Sequence, residues 1–133
     1  MTILEHVNVT VKDAKATALW MSELFGWTIR WEGASIYGGR SVHVGSADLA
    51  GDSYIALYSP AGNAGDAPDS YNIRSGLNHI GVVVSDLDET ERKVMALGYE
   101  PHSHADYEPG RRFYFREENS IEIEVVAYVA NAR

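Results

Sequence analysis

Residues 6–13 read HVNVTVKD, and residues 79–86 read HIGVVVSD. His, Val, Val and Asp recur at the same places in the two stretches, 73 residues apart. In each copy a helix-like segment follows, and each ends at a glycine next to an aromatic residue: Gly26-Trp27 and Gly98-Tyr99, 72 residues apart. A repeat of this length exceeds the roughly 20–50 residues of solenoid units, so two modules are implied rather than an array. In the first module Val7, Val9 and Val11 alternate with Asn8 and Thr10, the period of a half-buried strand. Asp13 is placed to cap a helix over 13–25, on which Ala16, Leu19, Trp20, Leu24 and Phe25 recur at helical spacing. Gly26 suits the left-handed position that stops it. Strands are predicted near 27–33, 40–46 and 53–58. The second module repeats the pattern: a strand near 77–84, a helix capped by Asp86 that carries Leu87, Val94, Met95 and Leu97, a stop at Gly98, then strands near 99–104, 111–116 and 121–128. The order is βαβββ twice, with modules at 1–58 and 77–133. Residues 59–76, SPAGNAGDAPDSYNIRSG, join them as a Gly-, Pro- and Ser-rich connector long enough to cover a site.

The 133 residues are 45% hydrophobic and 23% charged, the balance of a folded globular domain rather than a disordered chain. No apolar run approaches the ~18 residues of a membrane span. The first residues lack the basic and apolar regions of a signal peptide, so a cytoplasmic protein is expected. Eleven Lys and Arg against nineteen Asp and Glu give a net charge of −8, which argues against nucleic acid and anionic membranes as partners. There is no cysteine, which excludes disulfides, zinc fingers, iron–sulfur clusters and thiol catalysis. A metal would have to be held by His, Asp or Glu.

Strand alternation then sorts the polar residues. Val7, Val9, Val11, Ile55 and Leu57 should face the first helix, leaving His6, Asn8, Thr10, Tyr54, Ala56 and Tyr58 on the open face. In the second module Ile80, Val82, Val84, Phe113, Phe115, Ile121, Ile123 and Val125 should face the helix. His79, Arg112, Tyr114, Arg116, Glu122 and Glu124 remain on the open face. Two histidines at duplicated positions and a carboxylate in the last strand, all on open faces, are a donor set suited to a divalent metal.

At this point the sequence resembles the vicinal oxygen chelate superfamily, which includes glyoxalase I, methylmalonyl-CoA epimerase, fosfomycin-resistance enzymes, bleomycin-binding proteins and extradiol dioxygenases. The resemblance spans nearly the whole chain. It is most specific in LEHVNVTVKD, LNHIGVVVSD and FYFREENSIEIEVV. It implies an α+β fold of two βαβββ modules whose curved mixed sheets enclose a cavity. It also implies four metal-facing positions, here His6, Ala56, His79 and Glu124. Glyoxalase I carries Glu at the second of these and the epimerase Gln; Ala56 cannot coordinate. The expected ligand set is therefore His6, His79 and Glu124, with Fe, Mn, Ni, Zn or Co as the ion. The family's Arg-Asp-Pro-Asp-Gly turn is replaced here by Arg116-Glu117-Glu118-Asn119-Ser120, without its Pro and Gly.

The resemblance implies a metal-dependent enzyme of lyase, isomerase or dioxygenase type. Its substrate would be a small molecule with vicinal oxygens, and Ala56 argues against an efficient glyoxalase I. The alternative is a metal-free binding protein of the bleomycin-resistance type. Glu124, or a metal-bound hydroxide, is the expected base, and Tyr114, ten residues earlier, matches the spacing of an assisting tyrosine in the dioxygenase branch. Arg30, Arg112 and Arg116 are candidates to hold a substrate carboxylate or phosphate, or else rim partners for the many acids; Arg30, Arg112, Ala56 and Tyr58 form the expected substrate-binding set. Glu122 reads as an outer-rim acid, His104 as a solvated-loop residue, and His43 and His102 as surface or cavity-lining residues. Trp20 reads as core, and Trp27, Trp31 and Tyr37 as packing residues of a core, an interface or a pocket. A homodimer is expected, since sheet edges and exposed aromatics need cover, with the metal site either within one chain or shared between two.

Overall fold

A computed structural model of the protein describes residues 2–36, 38–46, 53–108 and 110–128; Tyr37, among the residues weighed above, lies outside them. The chain divides between Gly65 and Asp66 into two compact units. In the first unit the order is β1 (His6–Thr10), α1 (Ala14–Phe25), β2 (Thr28–Ala34), β3 (Arg40–Gly45) and β4 (Tyr54–Ser59). In the second it is β5 (Ile80–Val83), α2 (Leu87–Ala96), β6 (His102–Tyr107), β7 (Gly110–Arg116) and β8 (Glu122–Tyr128). Each unit is thus βαβββ, and the two sheets share one topology. The orders are β1-β4-β3-β2 and β5-β8-β7-β6, with the first two strands of each order parallel and the rest antiparallel.

The helix boundaries follow from local chemistry. Asp13 is extended and its carboxylate accepts from the Ala16 N–H at 3.1 Å; Asp86 does the same for Glu89 at 3.0 Å. These bonds satisfy donors that a helix start leaves unpaired. Gly26 and Gly98 adopt φ +71° and +93°, a region that glycine enters at little cost, and so turn the chain out of α1 and α2. β6 begins at His102 rather than near residue 99, because Pro101 has no N–H for a ladder.

In the first unit α1 packs chiefly on β3. Ala14, Thr17, Ala18, Met21 and Leu24 are buried beneath it with Val11, Val42, Val44 and Leu57, and Trp20 joins them as expected. Three expectations fail here and in α2. Leu19 and Met95 are exposed, and Val7 is 42% exposed. β1 is an edge strand, so Val7 lies past the helix's footprint, while Val11, just after the strand, is buried. On the helices the buried stripe is rotated onto Thr17 and Thr90. Thr90 tolerates burial because its hydroxyl donates back to the Asp86 carbonyl at 2.9 Å. In the second unit the core is Phe113, Phe115, Ile123 and Val125 against Leu87 and Val94, as strand alternation predicts.

The turn before β8 fixes where that strand's carboxylates fall. Glu117 is 4% exposed, and its carboxylate folds back onto its own turn. It accepts from the Asn119 N–H at 2.7 Å, the Asn119 side chain at 2.9 Å and the Ile121 N–H at 3.2 Å. Ser120 adopts φ +64°, the left-handed conformation that a glycine would take more cheaply. The carboxylate scaffold of Glu117 thus does locally what Pro and Gly do in the family's usual turn.

Candidate functional site

Register places the candidate residues in one equivalent row of each sheet. In the first unit Trp31 of β2 pairs with His43 of β3, His43 with Ala56 of β4, and Ala56 with Asn8 of β1. In the second, His102 of β6 pairs with Tyr114 of β7, Tyr114 with Glu124 of β8, and Glu124 with Gly81 of β5. Ala56 and Glu124 therefore occupy the same slot of the two modules. His43 stands where Tyr114 stands, and Trp31 where His102 stands. His6 and His79 each lie two residues before the strand-one member of the row.

The two histidines are prepared in the same way. The ring of His6 meets Glu5 through Nδ1 at 2.8 Å, and that of His79 meets Asn78 through Nδ1 at 2.7 Å. An oxygen acceptor at Nδ1 holds the proton there and presents Nε2, as the outer partner of a metal-bound histidine does. His79 Nε2 lies 3.1 Å from Glu124 Oε1. Two ligands each about 2.1 Å from one ion stand about 3.0–3.4 Å apart at octahedral or tetrahedral angles. The pair in the second unit therefore fits a shared cation. Within either unit, no three His, Asp or Glu side chains gather into a metal-holding group among the described residues. The second unit contributes the His79–Glu124 pair.

The other oxygen of Glu124 is already engaged. Arg112 Nη1 donates to Glu124 Oε2 at 2.8 Å, and Nη2 donates to the carbonyls of Gly110 at 3.1 Å and Tyr107 at 3.4 Å. The guanidinium also lies 4.3 Å from the Tyr107 ring centre. Arg112 is 9% exposed, so it is a buried clamp between the β6–β7 turn and Glu124, not a rim arginine. A pocket of about 410 Å³ opens beside it, lined by Gly81, Val83, Arg112, Glu124, Val126 and Tyr128. Tyr114 stands edge-on to His79, ring centres 5.8 Å apart. Burial, and then the charge of Glu124, raise its phenol above the ordinary value, so at neutral pH it is a proton donor.

Two groups escaped the sequence reading. Glu122 is buried, not an outer-rim acid: Tyr71 of the connector donates its hydroxyl to one carboxylate oxygen, and His102 Nε2 and Arg116 Nε lie 3.3 and 3.4 Å from the other. Burial, helped by the bond to Glu122, pushes the Tyr71 phenol up to about 12. The second group is His43. Its ring lies 4.7 Å from Tyr54 and 6.4 Å from His6, and burial, then the His6 charge, lower its basicity. His104 lies on β6 rather than in a loop and pairs with Glu91 at 2.8 Å. Arg30 lies over the Tyr54 ring at 4.8 Å and reaches the Ser53 carbonyl, and Tyr58 donates to the Gly38 carbonyl at 3.3 Å. Ala56 is 2% exposed.

Among solved structures, the chain is similar to a glyoxylase/bleomycin resistance protein/dioxygenase domain from Frankia sp. EAN1pec: 23% identity, TM-score 0.77, covering 97% of this chain and 99% of that one. It is also similar to the fosfomycin resistance protein FosX from Listeria monocytogenes, solved with Mn(II) and a sulfate ion: 20% identity, TM-score 0.71, covering 100% and 98%. A third is TnmS3, an antibiotic binding protein from Streptomyces sp. CB03234: 15% identity, TM-score 0.72, covering 97% and 98%. At these identities the likeness shows the α+β glyoxalase/dioxygenase-like fold. No curated protein matches the sequence. No described helix is long and apolar enough to cross a membrane. Residues 3–125 match the family model of the Glyoxalase/Bleomycin resistance protein/Dioxygenase superfamily, and the chain belongs to that superfamily.

Proposed function

We propose that the protein is a metal-dependent enzyme of this superfamily, holding one divalent ion with His6, His79 and Glu124 and acting on a small substrate with adjacent oxygens. The observation that carries this reading is the duplicated preparation of the two histidines. Glu5 and Asn78 engage Nδ1 of His6 and His79, and the freed Nε2 of His79 faces Glu124 Oε1 at 3.1 Å. The ion, when bound, supplies Lewis-acid polarisation of a chelated oxygen. The chain supplies the rest. Arg112 fixes Glu124 through Oε2, which orients Oε1 toward His79. Tyr114, directly across the ladder from Glu124 and protonated at neutral pH, is placed to donate a proton, and Glu124 to accept one. Ala56, in the slot equivalent to Glu124, removes the second carboxylate that glyoxalase-type proton shuttling uses, so an efficient glyoxalase I activity is not expected. FosX, which shares the fold, was solved with Mn(II), and this supports Mn among the candidate ions Fe, Mn, Ni, Zn and Co. The test is metal analysis of the native protein, then turnover of vicinal diols, epoxides and catechols by protein reconstituted with each ion under anaerobic conditions. Turnover that requires one ion and disappears in Glu124→Gln is the expected result.

A second reading, small-molecule binding without metal, is favoured by Arg112. Its guanidinium already neutralises Glu124 beside a pocket of about 410 Å³, and TnmS3 is an antibiotic binding protein of the same fold. Native protein that carries no metal and takes none up would favour it. A homodimer of chains in the cytoplasm remains part of the proposal, tested by sedimentation at micromolar concentration.

A further inference from the structure

The slot that holds Glu124 in the second unit holds Ala56 in the first, and what surrounds the alanine is aromatic. Across the four strands of the first sheet run Trp31 on β2, His43 on β3, Tyr54 on β4 and His6 on β1. Successive ring centres lie 5.0, 4.7 and 4.9 Å apart. In the second sheet the position equivalent to Tyr54 is Glu122, so a carboxylate interrupts the corresponding row of rings. Two features of the backbone arrange the outer end of the row. A β-bulge between Ile29 and Trp31 re-aims the strand, and Arg30 within it lies over the Tyr54 ring. Gly33, two residues on and on the same face, leaves room for the indole: a Cβ there would stand 2.9 Å from Trp31 Cζ2 and 3.0 Å from Cη2. Trp31 is therefore held against His43 and over the Gly33 backbone, yet it is 50% exposed. A large apolar ring held in place and left in water is a preformed stacking surface, because the entropy of ordering it has already been met by the fold.

We propose that the Trp31–His43 end of this row is a binding subsite for a planar aromatic ring of a ligand, recognised by stacking. The first module thus recognises a ring, while the second holds the polar chemistry. The subsite is independent of the metal, since none of its contacts needs one.

The test uses the full chain, stripped of metal with EDTA, and two neutral probes of one carbon skeleton: 2-naphthol and its saturated analogue decahydro-2-naphthol, titrated by calorimetry. Stacking of one ring pair contributes about 0.5–1.5 kcal/mol beyond area burial, or about 2–12-fold. The aromatic probe should bind tighter than the saturated one by that factor. Trp31→Leu should remove the preference, Gly33→Ala should weaken it by displacing the indole, and Met95→Ala, an exposed apolar site in the other unit, should leave it intact. Urea melts confirm that the variants are folded. Equal binding of the two probes, or an unchanged preference in Trp31→Leu, overturns the proposal. So does a wild-type dimer that Trp31→Leu converts to monomer, because the indole would then be an interface residue. Metal binding that fails while the probe preference survives would refute the proposed enzyme and leave this subsite standing.

Discussion

Replacing Glu117 by Ala tests how this chain builds the turn that delivers β8 and its carboxylates. The side chain is 4% exposed and accepts three hydrogen bonds, two from main-chain N–H groups and one from the Asn119 amide. A hydrogen bond to a charged acceptor contributes about 1.5–3 kcal/mol, and a buried donor left unpaired costs about 1–3 kcal/mol. Burying the carboxylate offsets part of this, so the expected loss at pH 7 is about 2–4 kcal/mol. For a domain of this size that is a fall in Tm of about 6–16 °C. The pH dependence gives a second reading from Glu117→Gln. Burial raises the Glu117 carboxyl above its ordinary value even though the three bonds pull it down. The folded state therefore holds this proton more tightly than the unfolded chain. The resulting stabilisation is complete below the ordinary Glu value of about 4.3 and is lost as pH rises through the raised folded value. The stability of the wild type relative to Glu117→Gln should decline over that window. Urea unfolding followed by circular dichroism at several pH values measures both effects. A Glu117→Ala loss under about 0.5 kcal/mol, the range of an uninvolved surface site, would refute the account of the turn. A relative stability that rises with pH would refute the account of its protonation.

Other substitutions probe neighbouring claims. Ser120→Gly should stabilise by about 0.5–1 kcal/mol in the same melts, because φ +64° costs a serine what it does not cost a glycine. Met21→Ala, beneath α1, should cost about 2–5 kcal/mol, whereas Leu19→Gln on the exposed face should stay within about 0.5 kcal/mol. Glu5→Ala and Asn78→Ala should each weaken Mn(II) binding by about 10–100-fold in calorimetry without changing its stoichiometry, as loss of an outer partner to a metal-bound histidine does. Tyr71→Phe should free the connector from Glu122 and raise proteolytic nicking within residues 66–76.

The duplicated HVNVTVKD and HIGVVVSD stretches made the topology legible, because strand, cap and helix start are local events written in adjacent residues. Asp13, Gly26, Asp86 and Gly98 act where their chemistry places them. The helix faces were less legible. Apolar spacing pointed to Leu19 and Met95, but the packing of α1 on β3 and the self-satisfied hydroxyl of Thr90 rotate the buried stripe. At the candidate site, alternation gave the face of each residue but not its neighbours across the ladder. That Ala56 and Glu124 share a slot follows from resemblance and is reproduced by register. That His43 and Trp31 line the same row needs the register of three strands and a bulge that no local pattern announces. Glu122 was misread for a related reason: its partner Tyr71 is 51 residues away, in a connector without periodicity.

The central claim is that His6, His79 and Glu124 together hold a divalent ion. Calorimetric titration of metal-free protein with Mn(II), run in parallel on His6→Ala, His79→Ala and Glu124→Ala, tests it most directly. The account predicts about one ion per chain in the wild type and a loss of more than about 100-fold in affinity for each variant, since removing a ligand exceeds the cost of removing its outer partner. His6→Ala and His79→Ala should retain the fold, because both histidines lie outside the helix-covered cores, whereas Glu124→Ala leaves the buried Arg112 without its carboxylate and is compared only after a urea melt shows it folded. Unchanged stoichiometry and affinity in His79→Ala would contradict it.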